Sequence, residues 1–306
     1  MKREHIWRSC RTQLFRNRAG ANKRGAVEVM LRHTVRLFLW LLVIAWSTAG
    51  TTRAAEQPNF VIIFADDMGY GDLGCFGHPT IKTPHLDAMA GRGMKFTQFY
   101  VASSVCTPSR AGLLTGRLPI RSGLSKVLIP SSTGGMPADE ITLAEALSEA
   151  GYATACIGKW HLGWQQKYLP GSHGFDRYFG IPYSNDMSPE IQPGNPVFKD
   201  APPHPLIRNF TVTNPDHEPD QRLLTQQYTE ESISFLQETA GKRPFFLYLA
   251  HTMPHVPLFA GERFEGKSQR GLYGDTVEEI DWSCGQVFAE LRRLGVEENT
   301  LVVFTS

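Results

Sequence analysis

The chain has 306 residues, 42% of them hydrophobic and 20% charged, which suffices for one large domain or two small ones with a real core. Its formal charge of +1 conceals an asymmetry, because residues 1–36 hold ten Lys and Arg against only Glu4 and Glu28. Residues 1–55 carry eleven of the 31 basic and two of the 30 acidic residues, so the remainder has a net charge of −8, which excludes a nucleic-acid partner.

Residues 1–29 fit neither a targeting segment nor a fold, and are read as an extension ahead of a natural start at Met30. A basic stretch, the apolar run Leu37–Trp46 and the small-residue exit Ser47–Ala55 then read as a secretory signal peptide over residues 30–55. Ten apolar residues are too few to span a bilayer comfortably, so an uncleaved anchor is the alternative and no stable membrane partner is expected. The expected destination is the periplasm or the cell exterior, or a lysosomal-type compartment in a eukaryotic host. Four scattered cysteines then remain, Cys75, Cys106, Cys156 and Cys284, which do not make a disulfide framework.

Residues 56–306 read as one domain. Asn59–Ala65 is a continuous β-branched and aromatic run, as expected of a strand buried on both faces. It ends in Asp66-Asp67, and paired carboxylates at the end of an inner strand suit Ca²⁺ or Mg²⁺; taken alone the pair is an ordinary solvated turn. Thr83 with Pro84 opens a helix that Gly91 and Gly93 close. Met94–Val101 is predicted as the next strand, delivering Cys106. Pro108 sits in the first turn of the following helix, whose free N–H groups and positive dipole end face Cys106, with Arg110 as a bidentate donor beside them. An isolated Cys at such a place is usually an inert buried thiol.

Thr142 caps a helix over Leu143–Ala150, and Tyr152–Ile157 follows as a strand that leads into Gly158-Lys159-Trp160-His161. Lys159 and His161 alternate past the strand end, so both can face one site. Nine of the twenty prolines fall between Pro182 and Pro219, which predicts a long irregular segment lining a substrate entrance. Leu224–Thr239 reads as a helix and Pro244–Ala250 as an inner strand that delivers His251 and His255. The spacing of Val277, Ile280, Cys284, Val287, Phe288, Leu291 and Leu294 predicts a helix, and Thr300–Thr305 a last strand. Alternating strands and helices argue an α/β fold with a largely parallel central sheet flanked by helices.

Cys106-Thr107-Pro108-Ser109-Arg110, followed by two aliphatic residues and Thr115-Gly116, resembles the first signature of the type I sulfatases. Gly151-Tyr152-Ala153-Thr154, continued to Gly158-Lys159-Trp160-His161, resembles the second, and Gly174–Asp186 a stretch of the arylsulfatase A-like members. The resemblance implies the alkaline phosphatase-like architecture and hydrolysis of a sulfate ester of a carbohydrate or aryl alcohol. It implies that a formylglycine-generating enzyme oxidises Cys106 to formylglycine, whose hydrate is the family's nucleophile. Asp66, Asp67 and the group derived from Cys106 would hold Ca²⁺, with Mg²⁺ as the alternative. Arg110, Lys159 and His161 would hold the hydrate and the sulfate oxygens. Lys159, Ser184 and His255 would bind the sulfate group, with His255 as general acid and His251 as its competitor. Two other readings stand beside this one: a phosphoester or phosphonate hydrolase of the same superfamily, and a non-catalytic binding protein that keeps the fold.

The family's strand matching Leu301–Thr305 ends in Asp-Asn-Gly, and those residues complete its cation site. The sequence stops at Ser306, so the expectation is a chain truncated at its carboxy terminus, without the antiparallel subdomain and weak or inactive in consequence.

Overall fold

The computed structural model describes residues 28–37, residue 40 and residues 57–306. The chain divides into two units, Met1–Glu56 and Gln57–Ser306. In the first, residues 28–37 are helical and exposed; most of the apolar run and the small-residue exit lie outside the described residues, and so does the signal-peptide reading built on them. No helix among the described residues is long and apolar enough to cross a membrane.

The second unit is built on one seven-stranded sheet. Its strands are β1 (Asn59–Phe64), β2 (Ala153–Gly158), β3 (Arg177–Gly180), β4 (Ile207–Arg208), β5 (Thr211–Val212), β6 (Phe245–Ala250) and β7 (Thr300–Thr305), in the spatial order β5-β4-β3-β2-β6-β1-β7. The five from β3 to β7 in that order run parallel, and the β4–β5 hairpin adds an antiparallel edge. Five helices cover the faces: α1 (Pro84–Arg92), α2 (Cys106–Thr115), α3 (Leu143–Glu149), α4 (Leu224–Thr239) and α5 (Gly271–Arg293).

Alternation along β6 splits the core into two layers. Phe245, Leu247 and Leu249 join α4 and α5 through Tyr228, Phe235, Val277, Ile280 and Leu291. Phe246, Tyr248 and Ala250 face α2 and α3 through Ala111, Leu114 and Ala144. Every residue of β6 is buried, which is why its sequence is uninterrupted apolar rather than alternating. Each such large side chain contributes about 1.5–3 kcal/mol of burial. The expectation of a largely parallel α/β fold is borne out.

Three local expectations differ from what the chain does. Residues 94–101 form no strand: Met94, Phe96 and Tyr100 are exposed, the last at 80%, because no neighbouring strand offers them a ladder. The Pro-rich segment contains the short β4–β5 hairpin, and β3 was hidden by the polar residues around it. Thr83 precedes α1 but does not cap it; its hydroxyl donates to Asp87, and the first helical N–H groups, of His85 and Leu86, donate instead to Asp281 on α5. By contrast Thr142 and Glu145 form the reciprocal capping box that opens α3.

Candidate active site

Parallel strands place their carboxyl ends on one edge of the sheet, and that edge is where open α/β proteins bind ligands. Asp66 and Asp67 follow β1, Lys159 and His161 follow β2, Ser184 follows β3, and His251 to His255 follow β6. The strand ends are drawn tightly together. Gly158 has φ 116°, and a Cβ there would lie 1.8 Å from the Ala250 carbonyl oxygen. A Cβ on Gly180 would lie equally close, 1.8 Å, to the Gly158 carbonyl. Only glycine permits this approach, which lets Lys159 N donate to Ala250 O at 2.8 Å and sets the Lys159 side chain inward.

Helix α2 begins at Cys106 with Val105 as an extended N-cap residue, so its first turn opens at the same edge. Thr107 ties that turn to β2: its hydroxyl donates to the His161 carbonyl at 2.9 Å and accepts Leu128 N at 3.1 Å. Arg110, fully buried, donates from Nη1 to the Lys159 carbonyl at 2.5 Å and brings Nη2 to 3.2 Å from Asp66 Oδ1, with the Phe64 ring 5.0 Å from its guanidinium carbon. The Lys159 ammonium is bonded to Asp66 Oδ2 and donates to Ser184 Oγ at 3.0 Å. Ser184 Oγ lies 3.4 Å from His255 Nε2, which is 3.6 Å from Asp67 Oδ2. His255 Nδ1 donates to the Val256 carbonyl at 2.5 Å.

Charge explains the protonation states. Burial alone would raise the Asp66 carboxyl, but Lys159 and Arg110 outweigh it and hold the group well below the usual carboxylate range. Burial raises the Cys106 thiol, and the neighbouring Lys159 and Arg110 do not reverse this, so the unmodified side chain is a thiol rather than a thiolate. His161 is lowered by burial and by Lys159, and is neutral; Nε2 donates to the Leu128 carbonyl at 2.8 Å, leaving Nδ1 as a buried acceptor with no partner. Asp67 and His161 both have left-handed backbones, at φ 62° and 61°, a conformation that costs non-glycine residues energy and concentrates at functional sites.

The structure therefore brings together Cys106, Arg110, Lys159, Asp66, Ser184 and His255, with His161 against the same turn. It separates the two histidines after β6. His251 is fully buried, neither ring nitrogen has a partner, and burial pushes it down to about 3, so it cannot carry a proton near neutrality. His255 alone stands among polar groups. Sequence reasoning missed Thr107, whose only signal was its place inside the Cys106 motif. It also missed His204, which donates from Nε2 to the Ser184 carbonyl at 2.8 Å. The described cysteines Cys75, Cys106, Cys156 and Cys284 are all free.

The cation set fits less well. Among the described residues no three His, Cys, Asp or Glu side chains gather as a metal cluster. Asp66 gives both oxygens to Arg110 and Lys159, while the half-exposed Asp67 turns toward His255. Two carboxylates so engaged do not enclose an ion that requires about six to eight oxygens. The modification fits better: an added polar group on Cys106 would meet the positive groups of Lys159 and Arg110.

A family model described as Sulfatase matches residues 58–306. The chain is 45% identical over 281 residues to arylsulfatase A of Bos taurus, covering 88% of this chain and 55% of the relative. It is 42% identical over 282 residues to N-acetylgalactosamine-6-sulfatase of Canis lupus familiaris, covering 87% and 53%. The crystal structure of the PsFucS1 sulfatase from Pseudoalteromonas sp. superposes with a TM-score of 0.74 at 28% identity, covering 82% of this chain and 55% of that one. The chain spans about half the length of the curated relatives it matches. Motifs, fold and kinship agree, and the chain belongs to the type I sulfatase family of the alkaline phosphatase-like superfamily.

Proposed function

We propose that residues 56–306 form the catalytic domain of a sulfuric ester hydrolase acting on the sulfate ester of a carbohydrate or aryl alcohol. One observation carries this reading: a buried lysine, a buried serine and a histidine stand in a row, with Lys159 Nζ 3.0 Å from Ser184 Oγ and Ser184 Oγ 3.4 Å from His255 Nε2, at the mouth of the Cys106 helix. That row offers donors to the oxygens of a tetrahedral anion and ends on a group able to protonate a leaving oxygen.

When formed by a formylglycine-generating enzyme, formylglycine at Cys106 would supply a hydrated aldehyde as the nucleophile toward sulfur. The residues around it have separable tasks. His161, neutral and held by Leu128 through Nε2, keeps Nδ1 as a hydrogen-bond acceptor and adds no charge next to Lys159. Lys159 and Ser184 hold sulfate oxygens by charge and hydrogen bonding. Arg110 fixes the Lys159 carbonyl and shares Asp66 with Lys159, so two cations face one carboxylate and a net positive charge is left for the bound anion. His255, its Nδ1–H engaged by Val256, presents Nε2 to the ester oxygen and donates the proton as that bond breaks. The family resemblance implies Ca²⁺, or Mg²⁺, at Asp66, Asp67 and the modified Cys106. Those residues do not enclose an ion by themselves, so no step here runs through it. Export is supported by the signal-peptide reading of residues 30–55.

The test is competition between para-nitrophenyl sulfate and para-nitrophenyl phosphate, on the wild-type protein and on Cys106→Ala. Preferential sulfate turnover that Cys106→Ala abolishes is expected. Preferential phosphate turnover would move the reading to the phosphoester and phosphonate hydrolases of the superfamily. Tight sulfate binding without turnover of either ester would favour a fold-retaining binding protein.

A further inference from the structure

Ser184 and His255 reach the site from different strands, and a set of uncharged side chains behind them joins the two segments. Asn185 is fully buried, and its Nδ2 donates to the Pro257 carbonyl at 3.1 Å and to Gln221 Oε1 at 3.0 Å. Gln221 answers from Nε2 to the Asn185 carbonyl at 2.9 Å, closing a reciprocal amide pair. On the other flank His204 donates to the Ser184 carbonyl at 2.8 Å and is itself held through its carbonyl by Asn214 Nδ2 at 2.9 Å. The peptide chain on both sides of Ser184 is thus fixed, and one of those fixings reaches two residues past His255.

That reach matters because His255 is otherwise loosely seated. Its Nε2 stands 3.4 Å from Ser184 Oγ and 3.6 Å from Asp67 Oδ2, at the outer limit for a hydrogen bond. A few tenths of an ångström in the 254–257 segment make or break the contact. Pro254 and Pro257 carry no N–H, so the backbone there has fewer donors with which to anchor itself. The Asn185 amide supplies the anchor from outside.

We infer that Asn185, locked by Gln221, is a positioning residue that holds His255 at the ester oxygen through the Pro257 carbonyl. The inference rests on the reading of His255 as general acid. It has a signature that general loosening of the fold lacks. A para-nitrophenolate leaves without needing a proton, whereas a phenolate leaves more slowly and profits from one. Displacing His255 therefore penalises phenyl sulfate far more than para-nitrophenyl sulfate, whereas partial unfolding removes the same fraction of activity from both.

The experiment measures kcat and KM for both esters on the wild-type protein, Asn185→Ala and Gln221→Ala, each produced with a formylglycine-generating enzyme and supplied with Ca²⁺. For Asn185→Ala, kcat on phenyl sulfate should fall about 100-fold, with a change of less than about threefold on para-nitrophenyl sulfate and KM within about twofold on both. Gln221→Ala keeps the bond to Pro257 and should show the same pattern at about a tenth of that size. An equal loss on both esters, or no loss, overturns the inference while leaving the sulfatase reading intact. If Asn185→Ala does not fold, Gln221→Ala decides alone, and an even effect there overturns the inference. A wild-type protein that turns over neither ester overturns the reading of the site, and the inference with it.

Discussion

Replacing Asp66 with Asn should destabilise the protein more than any other single change at the site. Asp66 is 2% exposed and is the counter-charge to two fully buried cations, Arg110 and Lys159. In Asp66→Asn the shape is kept but Lys159 retains only Ser184 Oγ, and Arg110 only the Lys159 carbonyl and the Phe64 ring, none of them charged. Removing one partner of a buried ion pair costs about 3–5 kcal/mol because the remaining charge has lost its compensation. For a domain of this size that corresponds to a fall in Tm of about 6–20 °C. Differential scanning calorimetry in metal-free buffer reads it directly. Asp67→Asn is the control, since its carboxylate is 54% exposed and 3.6 Å from His255, and it should move Tm by less than about 4 °C. The pair also sets the sign of the acid response. Asp66 is held below its ordinary 3.8, so its contribution is present above that pH and is lost as the pH falls further. A Tm for Asp66→Asn within about 2 °C of wild type would refute the view that this carboxylate neutralises the two cations.

Glu279, buried on α5 with Gly261 N donating to it at 2.9 Å, is pushed by burial from 4.5 to about 7. Its stability contribution is complete below pH 4.5 and is lost as the pH rises through 7, so Glu279→Gln should gain up to about 3 kcal/mol over wild type between about pH 5 and about pH 8 in urea unfolding; a pH-independent difference contradicts this. The open edge strand β7 exposes Leu301 at 56% and Val303 at 39%, and Leu301→Lys with Val303→Lys should slow the growth of light scattering on warming. Unchanged scattering would place the aggregation-prone surface elsewhere. Thr142→Ala removes the α3 capping box and should cost about 1 kcal/mol in chemical denaturation, with the sheet-edge geometry and ligand affinity unaffected.

Strands β1, β2 and β6 were legible as apolar runs because burial within the sheet demands that composition, and β7 was legible by its apolar run although it is an edge strand with no fully buried residue. Residues 94–101, rich in aromatic residues but interrupted by Lys95, Thr97 and Gln98, misled, since a strand exists only where a partner accepts its ladder, and pairing is not written in the strand itself. Capping of α1 by Asp281 was invisible for a related reason: donor and acceptor lie 195 residues apart. At the site, the charged and nucleophilic groups stood in motifs of fixed spacing and could be read residue by residue. The choice between His251 and His255 could not, because both follow the same strand and only burial separates them. The roles of Asn185 and Gln221 could not be read: Asn185 sits inside the Gly174–Asp186 stretch and Gln221 just past the Pro-rich segment, both ordinary polar residues whose importance comes from one carbonyl across the fold.

On the proposed function, Cys106 is a precursor to a nucleophile and not a structural thiol. Mass spectrometry of the tryptic peptide Phe96–Arg110, from protein produced with a formylglycine-generating enzyme, measures this most directly. The expected species is lighter than the thiol form, resistant to alkylation and reactive toward hydrazide reagents. A peptide found only as the alkylatable thiol under those conditions would contradict it.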